Sequence, residues 1–123
     1  MLLTCGTSPK WTIFRLRLPA VRAMEPMVGG TPESAPERYA HFSPTTHAQP
    51  GSPPTLLIQG KDDVIAPVSA TDLLFERLLA TGVPAVNIVF PHAEHGFDLV
   101  LARCSPAAQT ALYYQERFLA LMV

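Results

Sequence analysis

The stretch that decides the fold is PPTLLIQGKDDVIAP, residues 53–67. Two prolines precede the short apolar run Thr55–Gln59, and Gly60 follows it. A run of this kind between chain-breaking residues is typical of a strand buried on both faces of a parallel sheet. The loop after the strand carries two adjacent carboxylates, Asp62 and Asp63.

A second stretch, VNIVFPHAEHGF at residues 86–97, has the same design. Val86–Phe90 predicts a strand, Pro91 ends it, and the loop that follows carries His95. Between the two strands, Ser69–Asp72 has the pattern of a capping box and predicts a helix at residues 69–81. The apolar face of this helix would consist of Leu74, Phe75, Leu78 and Leu79.

Helix-ending and helix-starting signals follow in order. Gly82 occupies the position of a left-handed C-terminal residue, with Pro84 just beyond it. Ser105 and Pro106 predict the N-cap and first residue of a last helix at residues 106–121. Its predicted apolar face comprises Ala108, Ala111, Leu112, Phe118, Leu119 and Met122. The order strand, helix, strand, helix predicts an α/β fold with a parallel pair joined by a right-handed crossover.

The region before residue 55 is less regular. Six prolines within residues 29–54 forbid a long element. A capping box at Ser34–Glu37 predicts one short helix that ends near His41, with loop around it. Residues 1–28 show no clear period, although the alternation at 13–18 predicts a short strand.

Composition excludes several classes of function. The net charge is −1, so neither nucleic acid nor an anionic membrane surface is an expected partner. No apolar run approaches the roughly 20 residues of a membrane span. Cys5 and Cys104 are far apart and in no metal-type spacing. Free thiols in a reducing compartment are therefore expected, which favours a cytoplasmic location without fixing it.

Asp63 and His95 are the candidate catalytic residues. Each follows the carboxyl end of a predicted strand, the edge of an open α/β sheet at which ligands bind. Neighbouring strands lie about 4.8 Å apart, so the two loops can bring these side chains together. A carboxylate that accepts a hydrogen bond from one imidazole nitrogen leaves the other free to act as a general base. The order Asp then His matches the end of the order Ser, Asp/Glu, His.

These residues carry a resemblance to a known family. Gly60, Asp63 and Pro67 fall on the acid-loop pattern of α/β-hydrolases of the carboxylesterase and prolyl-oligopeptidase-like groups. Pro91 and His95-Gly96-Phe97 fall on the histidine-loop pattern of the same family. The segments Gly29–Glu33, Pro36–Tyr39 and Ser43-Pro44 also resemble its lead-in to the acid strand. The resemblance covers residues 28–123 and leaves residues 1–27 unassigned.

The resemblance implies the C-terminal part of a doubly wound α/β-hydrolase sheet. It also implies a serine hydrolase of carboxylic esters in which Asp63 and His95 are the acid and base. No G-x-S-x-G nucleophile motif occurs in the 123 residues. The nearest candidate, Ser8, lacks the second glycine, and Pro9 after it has no backbone N–H for an oxyanion hole. We therefore expect no nucleophile in this chain and no turnover from the chain alone.

Several alternatives stay open. The chain could be a non-catalytic truncated remnant or a module that a partner completes, and the family pattern also fits a peptidase of the prolyl-oligopeptidase type. The expected partner of the full-length family is a small-molecule ester, and no cofactor is expected. No metal is expected either, because His92, His95, Asp62, Asp63 and Glu94 show no metal-ligand spacing. An unpaired edge on the first strand predicts self-association.

Overall fold

The computed structural model describes residues 19–99 and 102–122. Its elements are helices α1 (Pro19–Val28), α2 (Pro36–Phe42) and α3 (Pro44–His47), strand β1 (Thr55–Gly60), helix α4 (Val68–Ala80), strand β2 (Ala85–Phe90) and helix α5 (Pro106–Met122). The strand predicted at residues 13–18 lies outside the described residues. None of the described helices is long and apolar enough to cross a membrane.

The two strands form the predicted parallel pair. Thr55 lies opposite Ala85, and Gly60 lies opposite Phe90. Helix α4 connects the strands and packs against both of them. Because parallel neighbours end at the same edge, the loops that follow Gly60 and Phe90 emerge side by side.

The main core lies between the sheet and α4. It consists of Ala48, Leu57, Leu74, Leu78 and Val83, with Phe75 and Ala85 packed against it. The prediction that Leu79 belongs to this face was wrong, since Leu79 is 51% exposed. Five residues along a helix correspond to a rotation of about 140°, which turns Leu79 away from the side defined by Leu74. Thr71, one turn before Leu74, is buried in its place.

Both predicted capping boxes were wrong, although both helices exist. Helix α4 begins at Val68 after an extended Pro67, and no side chain caps it. Helix α2 begins at Pro36 after Ala35, also without a side-chain cap. The Ser34 hydroxyl instead accepts a hydrogen bond from the Thr31 N–H at 2.8 Å. In both places the N-cap is a residue other than the predicted serine: Pro67 instead of Ser69, and Ala35 instead of Ser34.

The predicted end of α4 and the predicted start of α5 are both confirmed. Gly82 has φ of +74°, the left-handed conformation expected after α4. The Ser105 hydroxyl accepts a hydrogen bond from the Ala108 N–H at 3.3 Å, which confirms it as the cap of α5. On α5 itself, Ala108 and Ala111 are buried. Three other members of the predicted apolar face, Leu112, Leu119 and Met122, are exposed by 47%, 59% and 45%.

Helices α1 and α3 were not predicted. Helix α1 begins at Pro19, carries Pro26 inside it and is followed by Gly29, whose φ is +78°. A small cluster of Val28 and Tyr39, with Met24 against it, joins α1 to α2. The division expected at residue 28 falls on the last residue of α1 and stays a prediction. Helix α3 has only four residues, within the range that the local prolines allow.

Adjacent leucines on α4 provide a test of this core. Leu78 is 4% exposed and belongs to the main cluster, whereas Leu79 is half-exposed. We expect Leu78→Ala to lower the free energy of unfolding by about 2–5 kcal/mol, because it leaves a cavity. Leu79→Ala should cost less than half as much. Urea unfolding of both variants measures the difference, and equal losses would contradict the observed orientation of α4.

Candidate active site

The loop after β1 holds the Asp63 side chain in a fixed place. The Asp63 N–H donates to the Gly60 carbonyl in a tight turn. Oδ1 of Asp63 then accepts hydrogen bonds from the backbone N–H groups of Ile65 and Ala66, at 2.8 and 2.7 Å. The carboxylate therefore organises its own loop and is only 7% exposed.

The loop after β2 passes directly over the end of β1. The Lys61 N–H donates to the Phe90 carbonyl, and the Asp62 N–H donates to the Ala93 carbonyl. At Gly60, an added Cβ would lie 2.3 Å from the Ala93 carbonyl oxygen. Only glycine permits this approach, because the neighbouring atom is backbone and has little freedom to withdraw.

These contacts bring His95 to Asp63 across 32 residues of sequence. Nδ1 of His95 lies 2.9 Å from Oδ2 and 3.1 Å from Oδ1 of Asp63. The predicted contact is thereby confirmed. The ring of Phe97 packs on Phe90, with centroids 5.2 Å apart, and folds the histidine loop back on its strand.

The hydrogen bonds assign the tautomer of His95. Asp63 is surrounded by groups that donate, namely two backbone N–H groups and a side-chain amide. A proton on either carboxylate oxygen would face these donors, so the ionised carboxylate fits the site. Since a carboxylate only accepts, Nδ1 of His95 carries a hydrogen, and in the neutral ring Nε2 therefore keeps its lone pair. The imidazole is 24% exposed, which leaves it accessible from outside.

Two residues that the sequence did not single out as functional complete the site. Nε2 of Gln59 donates to Oδ2 of Asp63 at 3.1 Å and also to the Ala66 carbonyl. The Thr71 hydroxyl donates to Oε1 of Gln59 at 2.6 Å. The sequence did contain a signal for both: Gln59 ends an apolar strand, and Thr71 interrupts the buried face of α4.

The other candidate residues lie apart from this pair. The side chain of His92 is 95% exposed and Asp62 53%, and their closest atoms are 3.7 Å apart. An exposed pair of this kind contributes little to stability. Within residues 19–99 and 102–122, no three His, Cys, Asp or Glu side chains converge as metal ligands would. Ser8 lies outside the described residues.

An open groove of about 610 Å³ runs beside the pair. Its walls come from β1, from Thr71 and Leu74 of α4, from the loop at residues 94–99 and from α5. Asp63 and His95 both line it. Its charged lining residues in the described structure are Asp63, Glu94 and Asp98, with no lysine or arginine among them.

Comparison with known families agrees with this geometry. Residues 13–119 match the model of the prolyl oligopeptidase family. The chain belongs to this family. The match confirms the resemblance that Gly60, Asp63, Pro67 and the histidine loop predict, and it begins before the boundary expected at residue 28.

Two curated relatives in Mycobacterium tuberculosis (strain ATCC 25618 / H37Rv) carry esterase names. Esterase LipC is 36% identical over 93 residues, which cover 73% of this chain and 23% of LipC. The probable carboxylic ester hydrolase LipM is 32% identical over 99 residues, or 79% of this chain and 22% of LipM. The chain thus spans less than a quarter of the length of these relatives.

Solved structures show the same fold. A thermophilic esterase from Thermogutta terrifontis, Est2 with propionate bound, superposes with a TM-score of 0.69 at 23% identity. That match covers 97% of this chain and 39% of the esterase. Esterase 2 of the same organism, phosphorylated by paraoxon, gives a TM-score of 0.61 at 28% identity over 65% of this chain and 31% of its own. The expected α/β-hydrolase fold class is confirmed.

The close approach at Gly60 is open to direct test. We expect Gly60→Ala to lower the free energy of unfolding by about 1–3 kcal/mol, because the new methyl group displaces the backbone at Ala93. It should also shift the imidazole nitrogen signals of His95 in ¹⁵N NMR spectra. Gly51→Ala is the control, since Gly51 has φ of +85° and no atom near its missing Cβ. It should cost about 1–2 kcal/mol from backbone strain and leave the His95 signals unchanged. A Gly60→Ala chain with wild-type stability and spectra would contradict the assigned packing.

Proposed function

We propose that this chain supplies the acid and base of a serine hydrolase acting on carboxylic esters, with Asp63 as the acid and His95 as the base. The observation that carries the proposal is the hydrogen bond from Nδ1 of His95 to Asp63, which leaves Nε2 free beside an open groove. Membership of a hydrolase family and the esterase names of both curated relatives support it.

In the proposed reaction, Nε2 of His95 takes the proton of a serine hydroxyl as that oxygen attacks the ester carbonyl carbon. Asp63 stabilises the imidazolium that forms. When the tetrahedral intermediate collapses, Nε2 returns the proton to the departing alcohol oxygen, and an acyl-serine remains. Water then attacks the acyl-serine by the same proton relay, which releases the acid and restores the serine.

We assign neither the catalytic serine nor the oxyanion-hole donors to residues of this chain. The 123-residue sequence contains no G-x-S-x-G motif. In this proposal they come from protein outside these residues, either in the same polypeptide or in a partner. The chain alone would then be a non-catalytic module that carries two of three triad members.

The charge of the groove bears on the substrate. Three carboxylates and no lysine or arginine line the described groove. A concave surface with one sign of charge repels ligands of the same sign. A small neutral ester fits this surface better than one with an anionic acyl group.

The first experiment concerns the isolated chain. Without a nucleophile it cannot form an acyl-enzyme, so we expect no saturable turnover of short p-nitrophenyl esters. A fluorophosphonate probe followed by mass spectrometry should find no stoichiometrically labelled serine. Labelling of Ser8, or of any other serine, together with loss of turnover would overturn the assignment of an incomplete triad.

The second experiment tests the catalytic roles. Residues of this chain replace the matched segment of Esterase LipC, and the chimera is assayed on p-nitrophenyl acetate. We expect turnover that Asp63→Asn lowers on the order of 10⁴-fold in kcat, because the imidazole loses its orienting carboxylate. His95→Ala should have a similar effect, while the exposed neighbour variants Asp62→Asn and His92→Ala should retain activity. A folded chimera that is indifferent to His95→Ala would refute the proposal.

A peptidase is the second candidate, because the matching family takes its name from prolyl oligopeptidase. The same acid and base would serve amide hydrolysis equally well. Comparing the chimera on p-nitrophenyl acetate and on a proline-containing peptide p-nitroanilide separates the two activities. The esterase names of the relatives favour the ester.

We also propose that β1 pairs with a further strand. Thr55 and Lys61 direct their N–H groups towards β2. Because the direction alternates along a strand, Leu56 and Ile58 direct theirs to the opposite edge. In the described residues no strand occupies that edge. An unpaired apolar edge favours pairing with another chain.

Self-association of the isolated chain follows from this open edge. Sedimentation velocity should show association that increases with protein concentration. Ile58→Lys places a charge on the edge and should shift the distribution towards monomer. Leu121→Lys, an exposed change at the far end of α5, is the control and should have little effect. A monomeric wild-type chain at all concentrations would contradict pairing between copies.

A further inference from the structure

The orientation of the Gln59 side-chain amide is fixed by its neighbours. One side faces the Asp63 carboxylate and the Ala66 carbonyl, and both of these groups only accept hydrogen bonds. The NH₂ group must therefore lie on that side. The amide oxygen then faces the Thr71 hydroxyl, which must donate its hydrogen.

These hydrogen bonds satisfy the polar groups of two buried side chains. Gln59 is 8% exposed and Thr71 is 9% exposed. Both amide hydrogens and the amide oxygen have partners, so little is lost by burying them. An apolar side chain would fill the same space at the end of β1 without any need for partners. The amide is therefore best explained by what it does to Asp63.

The loop of Asp63 holds one of its two carboxylate oxygens and leaves the other without a backbone hydrogen bond. The N–H groups of Ile65 and Ala66 hold Oδ1. Oδ2, the oxygen nearer to Nδ1 of His95, receives no backbone hydrogen bond from that loop. Apart from His95 itself, the amide of Gln59 is the group in the described structure that holds Oδ2, at 3.1 Å.

We propose that Gln59 is a positioning residue that holds Oδ2 of Asp63 against Nδ1 of His95, and that the Thr71 hydroxyl sets the direction of the Gln59 amide. The inference rests on the proposed roles of Asp63 and His95. It links the acid–base pair to helix α4, because Thr71 lies on that helix. The tautomer of His95 then depends on a chain of contacts from Thr71 through Gln59 and Asp63.

The test reads the tautomer of His95 directly and needs no catalytic activity. The full chain is labelled with ¹⁵N in histidine, and the imidazole nitrogens are observed at alkaline pH, where the rings are neutral. His95→Gln identifies the signals of His95 among the four histidines. The wild-type ring should be predominantly in the Nδ1–H form, since Asp63 accepts that hydrogen.

The variants separate positioning from packing. Gln59→Met keeps a side chain of similar length without hydrogen-bonding groups, and should lower the fraction of the Nδ1–H form by about half or more. Thr71→Val should act in the same direction, whereas Thr71→Ser keeps the hydroxyl and should retain the wild-type ratio. Gln109→Met is the matched control: it removes a side-chain amide that donates to the Ala102 carbonyl. It should leave His95 unchanged.

The outcomes are distinguishable. If Gln59→Met and Thr71→Val fold and keep the wild-type ratio, the inference is overturned and the proposed function stands. If the amide signals of Gln59→Met are not dispersed, that variant is unfolded and Thr71→Val decides alone. A lower fraction of the Nδ1–H form in Thr71→Val supports the inference, and an unchanged fraction overturns it. If wild-type His95 lacks the Nδ1–H form, the geometric basis of the proposed function itself is lost.

Discussion

The carboxylate of Asp63 is the point on which the site depends. It accepts hydrogen bonds from its own loop, from Gln59 on β1 and from His95 on the loop after β2. Hydrogen bonds to a charged group contribute about 1.5–3 kcal/mol each, and an unpaired buried carboxylate would be costly. The donors are therefore a condition for burying Asp63, and together they fix the shape of the loop and the tautomer of His95.

The sheet makes this convergence geometrically available. Parallel neighbours deliver their following loops to the same edge, and Gly60 lets one loop pass against the other without a side chain between them. Asp63 and His95 are 32 residues apart in sequence, yet neither needs a long side chain to reach its partner. A two-stranded sheet with one crossover helix is enough to bring the two residues of the proposed acid–base pair together.

Much apolar surface remains outside the core. Hydrophobic residues make up 48% of the sequence. Even so, Leu99 and Leu119 are both more than half exposed, and one edge of β1 has no strand partner in the described structure. The groove beside His95 is bordered by this edge and by α5. A surface of this kind fits the proposal that further protein packs here, because exposed apolar patches mark interaction sites.

The sequence by itself determined the strands, the two long helices that follow them, the left-handed Gly82 and the Ser105 cap. Each depends on a pattern within a few residues. It also indicated that Asp63 and His95 meet. Parallel strands end at the same edge of the sheet, so the two loops predicted from local patterns lie side by side. The tertiary structure alone decided where α4 begins, that Leu79 faces outward, and that Gln59 binds Asp63. The amide of Gln59 gains its role only when Asp63, Ala66 and Thr71 are folded around it, and no local pattern records which polar side chains a fold will bring into contact.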